Sequence, residues 1–258
     1  MSLVAPILAM LALWWFSTGA ILMLGERSER SRRAAMAIVS VLAVGSLIGL
    51  WMVRDITTPF GAYAGALCAL TLWAWHEMSF LFGYLTGPNR KPCPDNLTGW
   101  PRFRAAAATL MHHELAIAAT VVVMAVMSLG AANQVALQLF VLLFALRLSS
   151  KFNLFLGAPH FTDQFLPGRL GHLRSYFSPR PAGCFFVVTT SVIALITGAL
   201  IWSAVTAASP FEAAAFALLG TLAALGVLEH LFLALPLPDA ALWRWLLPAR
   251  DPRRSPDL

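Results

Sequence analysis

Long apolar stretches alternate with short polar segments along the whole chain. Seven stretches are each long enough to cross about 30 Å of hydrocarbon at about 1.5 Å per helical residue. They cover approximately residues 3–24, 34–53, 60–84, 104–129, 133–150, 184–207 and 211–235. The pattern predicts an all-α, polytopic integral membrane protein with seven transmembrane helices, organised as a single membrane domain over residues 1–258.

Composition supports a membrane protein and excludes several other classes. Of the 258 residues, 59% are hydrophobic and 12% are charged, whereas soluble domains carry about 25% charged residues. A disordered chain, a coiled coil and an ordinary soluble enzyme are therefore excluded. The partner that the composition requires is the lipid bilayer.

The basic residues predict the orientation of the chain. All but one of the 18 lysines and arginines lie at the end of span 5 or in the segments that follow spans 1, 3, 5 and 7, and the exception is Arg54. Because basic residues collect in cytoplasmic loops, we expect a periplasmic N-terminus and a cytoplasmic C-terminus in a bacterial inner membrane, either cytoplasmic or intracytoplasmic. These loops also explain the net charge of +6, so we expect no nucleic acid as partner.

Two of the cytoplasmic segments are long. Residues 86–103 are rich in Pro, Gly and Asn, which predicts a loop rather than a helix. Residues 151–183 mix apolar and basic residues, so we expect a cytoplasmic loop that lies partly along the membrane surface. The alternative for this second segment is a solvated linker. The side chains expected to dip into the membrane are Phe155, Phe161, Phe165, Leu170 and Tyr176.

Three of the predicted spans each contain an adjacent His–Glu pair. Ionisable residues inside a span cost about 2.5–3.5 kcal/mol each on insertion scales and indicate function. Counting residues along each helix places all three pairs at one level, about 5–8 Å to the cytoplasmic side of the midplane. The candidate residues are His76, Glu77, His113, Glu114, Glu229 and His230.

Three interpretations of this cluster remain open. The first is a metal centre, since Glu and His donors from separate helices suit iron, manganese or zinc. The second is a structural polar core, in which each Glu bonds to a His or to Arg147. The third is a tetrapyrrole site, in which one His ligates the central metal. Supporting residues in or near the cluster are His112, Arg147, Lys151, Asn153, His160, Asp163 and His172.

Several segments resemble the PuhE family of photosynthetic complex assembly proteins from purple bacteria. They are WWFSTG (14–19), WHEMSFLFGYLTGP (75–88), the His–Glu pair of span 4, RLSSKFNLFLGAP (147–159) and FLPGRLGHLRSYF (165–177). The resemblance implies a role in photosystem assembly or in modulating bacteriochlorophyll synthesis. It implies as partners the reaction-centre or light-harvesting assembly machinery, or pigment-biosynthesis enzymes. It assigns no catalytic residues.

The His–Glu cluster also supports a second hypothesis, which does not come from the resemblance. In this hypothesis the protein is an integral-membrane, metal-dependent oxidoreductase of a di-iron-like kind. Its substrate would be a lipid-soluble tetrapyrrole or carotenoid. Metal content of the purified protein distinguishes this enzyme from a non-catalytic assembly or pigment-handling factor.

Overall fold

The computed structural model describes residues 3–160, 166–237 and 242. Every regular element in these ranges is a helix. The elements are α1 Val4–Gly25, α2 Glu29–Val53, α3 Pro59–Leu81, α4 Gly99–Met127, α5 Val135–Leu156, a 3₁₀ helix Gly168–Tyr176, α6 Cys184–Val205 and α7 Pro210–Ala234.

Each predicted apolar stretch coincides with one of the seven α-helices. Among the described residues, six of these helices are long and apolar enough to cross a membrane, and α3 is the one that is less apolar. The chain is thus a multi-pass, helical membrane protein. The lower hydropathy of α3 has a physical reason, because α3 packs against α2, α5 and α7 and exposes little of its own surface.

Two predicted boundaries are wrong, because helices extend into both predicted loops. Helix α4 begins at Gly99, so residues 99–103 are not part of the loop. Helix α5 continues to Leu156, so residues 151–156 are not part of the loop either. Lys151 and Asn153 marked the end of the span in the sequence. In the structure both side chains are hydrogen bonded inside the bundle, so the helix continues past them.

Helices α3 and α7 occupy the centre of the bundle. Helix α7 packs against α6, α5, α3 and α1, and small residues line most of its buried surface. Gly226 shows how close α5 comes, since a Cβ atom there would lie 2.5 Å from Leu146 Cδ2. The small side chains of α7 therefore allow α5, which carries charged residues, to pack close to α7.

Hydrogen bonds join alternate loops at the two ends of the bundle. At one end, the Asn133 backbone N–H donates to Arg54 O at 2.8 Å, which joins the α2–α3 and α4–α5 loops. At the other end, the guanidinium of Arg169 donates to Gly25 O and Leu81 O. The long loop after α5 therefore lies against the ends of α1 and α3.

The 3₁₀ helix packs on the protein rather than dipping into the membrane as expected. Leu170 and Tyr176 are buried, and Leu170 belongs to a cluster with Phe80 and Leu173. Hydrogen bonds to Asn89 and Lys91 hold the Tyr176 hydroxyl, because a buried phenol needs polar partners. Phe155 is only partly buried. Phe161 and Phe165 lie outside the described residues.

Candidate functional site

Arg147 on α5 joins two of the three predicted carboxylates. Its Nη1 donates to Glu229 Oε1 of α7 at 2.8 Å, and its Nη2 donates to Glu77 Oε2 of α3 at 3.3 Å. The second oxygen of Glu77 is buried without a hydrogen-bond partner. One guanidinium thus balances two carboxylates inside the bundle.

The third carboxylate meets the next basic residue of α5. Lys151 Nζ donates to Glu114 Oε1 of α4 at 2.5 Å and lies 5.8 Å from the centroid of the Phe80 ring. Residues i and i+4 of a helix lie on one face, which is why Arg147 and Lys151 enter the same region. Together the five side chains carry three acidic groups and two basic groups.

His76 and His113 lie near this charged cluster, and their ring centroids are 6.4 Å apart. Thr120 donates its single hydroxyl proton to Ala116 O, so at 2.9 Å it accepts from His76 Nε2. His76 Nδ1 is then an unprotonated, buried nitrogen with no partner. His113 is fully buried beside Phe80, and neither of its ring nitrogens has a partner.

His230 turns away from the charges and is fully satisfied. Its Nδ1 lies 2.8 Å from Gly226 O and its Nε2 lies 2.8 Å from Ser149 Oγ. A carbonyl oxygen only accepts, so Nδ1 carries the proton and Nε2 accepts from the serine. A metal ion would have to displace one of these bonds, and the geometry indicates a structural role.

The supporting residues are scattered. His112 and His160 are exposed, and Asn153 is buried with its amide donating to Ser149 O and Thr189 Oγ1. His172 is half-buried in the 3₁₀ helix, where burial lowers the pKa of its imidazole. Asp163 lies outside the described residues.

The arrangement matches the structural interpretation for part of the cluster. Glu77 and Glu229 bond to Arg147, as that interpretation expected, while Glu114 bonds to Lys151. Within residues 3–160, 166–237 and 242, no group of three or more His, Cys, Asp or Glu side chains is placed to hold a metal ion. Metal binding stays a prediction.

The charged cluster forms part of the wall of a large apolar cavity that the sequence did not predict. The cavity has a volume of about 680 Å³, within the range of about 300–1,000 Å³ typical of ligand sites. Helices α1, α3, α4, α5 and α7 and the 3₁₀ helix all contribute to its wall. The charged residues in the wall are Glu77, Glu114, Arg147, Lys151 and Glu229.

Some features of the site correspond to a recognisable signal in the sequence. A run of four alanines, residues 105–108, precedes the His–Glu pair of α4, and Ala106 and Ala107 line the cavity. Small side chains at this level leave space that larger ones would fill. Thr120 and Ser149, which bond to the histidines, carry no comparable signal, since hydroxyl residues are common inside membrane helices.

Comparisons with known proteins identify a related protein and a family to which this chain is similar. A protein of Rhodobacter capsulatus, described as the uncharacterized 30.4 kDa protein in the puhA 5′ region, is 38% identical over 247 residues, which cover 94% of this chain and 90% of the relative. No solved structure matches. The family model described as "Protein of unknown function (DUF3623)" matches residues 1–254, and the chain therefore belongs to the DUF3623 family.

Proposed function

We propose that this protein is an assembly factor for the photosynthetic apparatus of purple bacteria, which supports photosystem assembly or modulates bacteriochlorophyll synthesis. The observation that carries this proposal is the apolar cavity with charged groups in its wall. A cavity of this kind suits the handling of a lipid-soluble pigment or pigment precursor. The name of the Rhodobacter relative, which places it in the puhA 5′ region, and the resemblance to the PuhE family give the photosynthetic context.

The cavity suggests how such a factor works without catalysing a reaction. A chlorophyll-type molecule has a large apolar body, so water is a poor solvent for it. Apolar residues such as Trp73, Leu143 and Phe232 line the cavity and provide contacts for that body. Arg147 and Glu229 then orient its polar substituents, and the molecule passes to an assembly partner inside the membrane.

The proposal includes a location and a set of partners. The protein lies in the inner membrane with seven crossings, a periplasmic N-terminus and a cytoplasmic C-terminus. The distribution of basic residues supports this orientation, and the hydrogen bonds that join alternate loops support the number of crossings. Its partners are the reaction-centre or light-harvesting assembly machinery, or pigment-biosynthesis enzymes.

Deletion of the gene in a photosynthetic host tests the proposal. We expect respiratory growth to remain intact while reaction-centre or bacteriochlorophyll content changes. The measurement is the near-infrared absorption spectrum of membranes, compared between the wild type, the deletion strain and the deletion strain complemented with the full chain. A spectrum unchanged by deletion would contradict the proposed function.

One observation favours a second candidate, a membrane-embedded metal-dependent oxidoreductase. His113, His76, Glu77 and Glu114 all keep buried nitrogen or oxygen atoms without partners, and buried polar atoms are usually bonded. Movement of these side chains toward one another would create a His/Glu donor set for iron or manganese. Metal analysis of the detergent-purified protein tests this candidate. Stoichiometric metal that His113→Phe removes and His112→Phe leaves in place supports it, and a metal-free wild type contradicts it.

A further inference from the structure

Two basic side chains in the wall of the cavity keep hydrogen-bond donors that do not bond to the residues that the structure describes. An arginine carries five N–H donors and a lysine carries three. Arg147 uses two of them and Lys151 uses one. Their side chains keep 40% and 19% of their surface exposed, and both line the cavity. The free donors therefore have access to a bound molecule.

The unbonded Oε1 of Glu77 and Oε2 of Glu114 are buried, so a bound molecule does not reach them. The hydroxyls of Ser17, Thr109 and Tyr176 already donate to backbone carbonyls. Glu229 is the most exposed of the three carboxylates in the wall, at 34% of its side-chain surface. A bound molecule with acceptor oxygens can therefore bond to the free donors of Arg147 and Lys151.

The charge balance of the wall argues against an anionic ligand. Three carboxyl groups already face two basic groups. An added carboxylate or phosphate would raise the excess of negative charge where the dielectric constant is low, and such charges are costly to bury. A carbonyl oxygen accepts hydrogen bonds without adding charge, so it fits both the free donors and the charge balance.

The cavity is also accessible from the membrane. Met111 and Leu115 of α4 line it, and both are exposed, by 44% and 62%. Helices α1 and α4 both contribute to the wall but do not pack closely against each other. A ligand dissolved in the lipid can enter beside α4 without passing through water.

We propose that the cavity binds one neutral, lipid-soluble molecule whose carbonyl oxygens accept hydrogen bonds from Arg147 and Lys151. Two sources in a photosynthetic membrane have this chemistry, a chlorophyll-type tetrapyrrole with keto and ester groups and a membrane quinone. A tetrapyrrole deepens the proposed function and rests on it. A quinone would give the same site a ligand that the proposed function does not require.

Extraction of the purified full-length chain tests binding directly. Protein isolated in mild detergent from photosynthetically grown cells is extracted with organic solvent, and the extract is separated by chromatography with absorbance and mass detection. We expect one neutral carbonyl-bearing molecule per chain. Its absorption spectrum and mass show whether it is a pigment or a quinone. A ligand-free protein, an anionic ligand or membrane phospholipid alone overturns the proposal.

A matched pair of substitutions on α4 tests the place of binding. Ala107→Trp fills part of the cavity, whereas Ala119→Trp adds the same side chain at an exposed position outside the cavity. We expect at least a tenfold fall in bound ligand for Ala107→Trp and none for Ala119→Trp. Equal occupancy in the two variants overturns the assignment of the cavity.

A double variant tests the hydrogen bonds and does not depend on filling the cavity. Glu114→Leu combined with Lys151→Leu removes one acid and one base, so the net charge of the wall is unchanged. We expect about tenfold weaker binding and a ligand carbonyl stretch closer to its frequency in free solution. An unchanged carbonyl frequency overturns the role of Lys151. Because binding is measured on purified protein and the deletion phenotype in cells, failure of this inference and failure of the proposed function are separable.

Discussion

At the scale of single residues, the charged cluster contains fewer basic groups than acidic groups. One arginine bonds to two carboxylates, and one lysine bonds to the third. Because the dielectric constant around the cluster is low, removing a base and removing an acid should have unequal effects on stability. Removing the base leaves charges unpaired, while removing an acid reduces an existing excess of negative charge.

This inequality predicts the effects of two charge-removing variants. Arg147→Gln leaves Glu77 and Glu229 without a cation and should lower the free energy of unfolding by about 3 kcal/mol, the lower end for a broken buried pair because the guanidinium is partly exposed. Glu229→Gln keeps the Arg147–Glu77 pair and should cost clearly less. The measurement is the thermal unfolding midpoint in detergent, with Arg104→Gln on the exposed surface of α4 as the control.

Two results would contradict this account. If Arg147→Gln unfolded at the same temperature as Arg104→Gln, the paired carboxylates would contribute nothing to stability. If Glu229→Gln were as damaging as Arg147→Gln, the count of three acids against two bases would not describe the energetics of the site.

A second residue-scale prediction separates the histidines. His230→Phe breaks both of its side-chain hydrogen bonds and leaves the Ser149 hydroxyl without its acceptor, which costs about 1–3 kcal/mol. His113→Phe removes two nitrogens that have no partner and keeps a ring against Phe80, so its stability should be unchanged or higher. Thermal unfolding of both variants checks the contrast, and a His113→Phe protein as unstable as His230→Phe would contradict it.

At the scale of elements, the most specific feature is the hydrogen-bonded contact between α4 and the loop that precedes it. Asn89 donates its backbone N–H to Ala108 O, and the His113 N–H donates to Thr86 O at 3.0 Å. Such close approach requires glycine at position 87, where a Cβ atom would lie 2.0 Å from Ala108 O. The loop thereby fixes the segment of α4 that carries His113 and Glu114.

Substitution of this glycine should therefore be costly. Gly87→Ala forces the loop away from α4, and we expect a loss of about 1–3 kcal/mol, typical of overpacking. Gly45→Ala in α2 is the matched control, since a Cβ atom there meets nothing within 4 Å, and alanine in a helix is favoured over glycine by about 1 kcal/mol. Thermal unfolding should separate the two variants, and equal midpoints would show that the loop does not need this close contact.

The elements also show what the sequence could predict. Apolar length predicted all seven helices, because hydrocarbon thickness sets that length. Helix ends were less predictable where polar residues are satisfied inside the protein, as Lys151 and Asn153 are. Depth along a helix follows from counting residues, and this count predicts a common level for the His–Glu pairs. Rotation about the axis does not follow from counting, which is why His112 is exposed and His113 buried.

At the scale of the whole molecule, the cavity was beyond sequence reasoning because it depends on how several helices and a loop meet. No single segment contains it. The sequence placed acidic and basic residues at neighbouring depths but did not reveal that an apolar space lies next to them. Which charges pair depends on the order of helices around the bundle, and the spacing of residues along one chain leaves that order undetermined.

At the scale of the whole molecule, we also predict that α3 crosses the membrane, and the orientation of every later helix depends on this crossing. The basic residues predict that the loops after α1, α3, α5 and α7 lie in the cytoplasm, and the loops before α3 and after α4 share the opposite end. Reporter fusions after Trp51 and Gly130 should therefore report the periplasm, and fusions after Asp95 and Pro252 the cytoplasm. If α3, the less apolar helix, did not cross, the reporters after Trp51 and Asp95 would agree. Glu77 would then not lie at the same depth as Glu114 and Glu229. Arg147 could not bond to both Glu77 and Glu229.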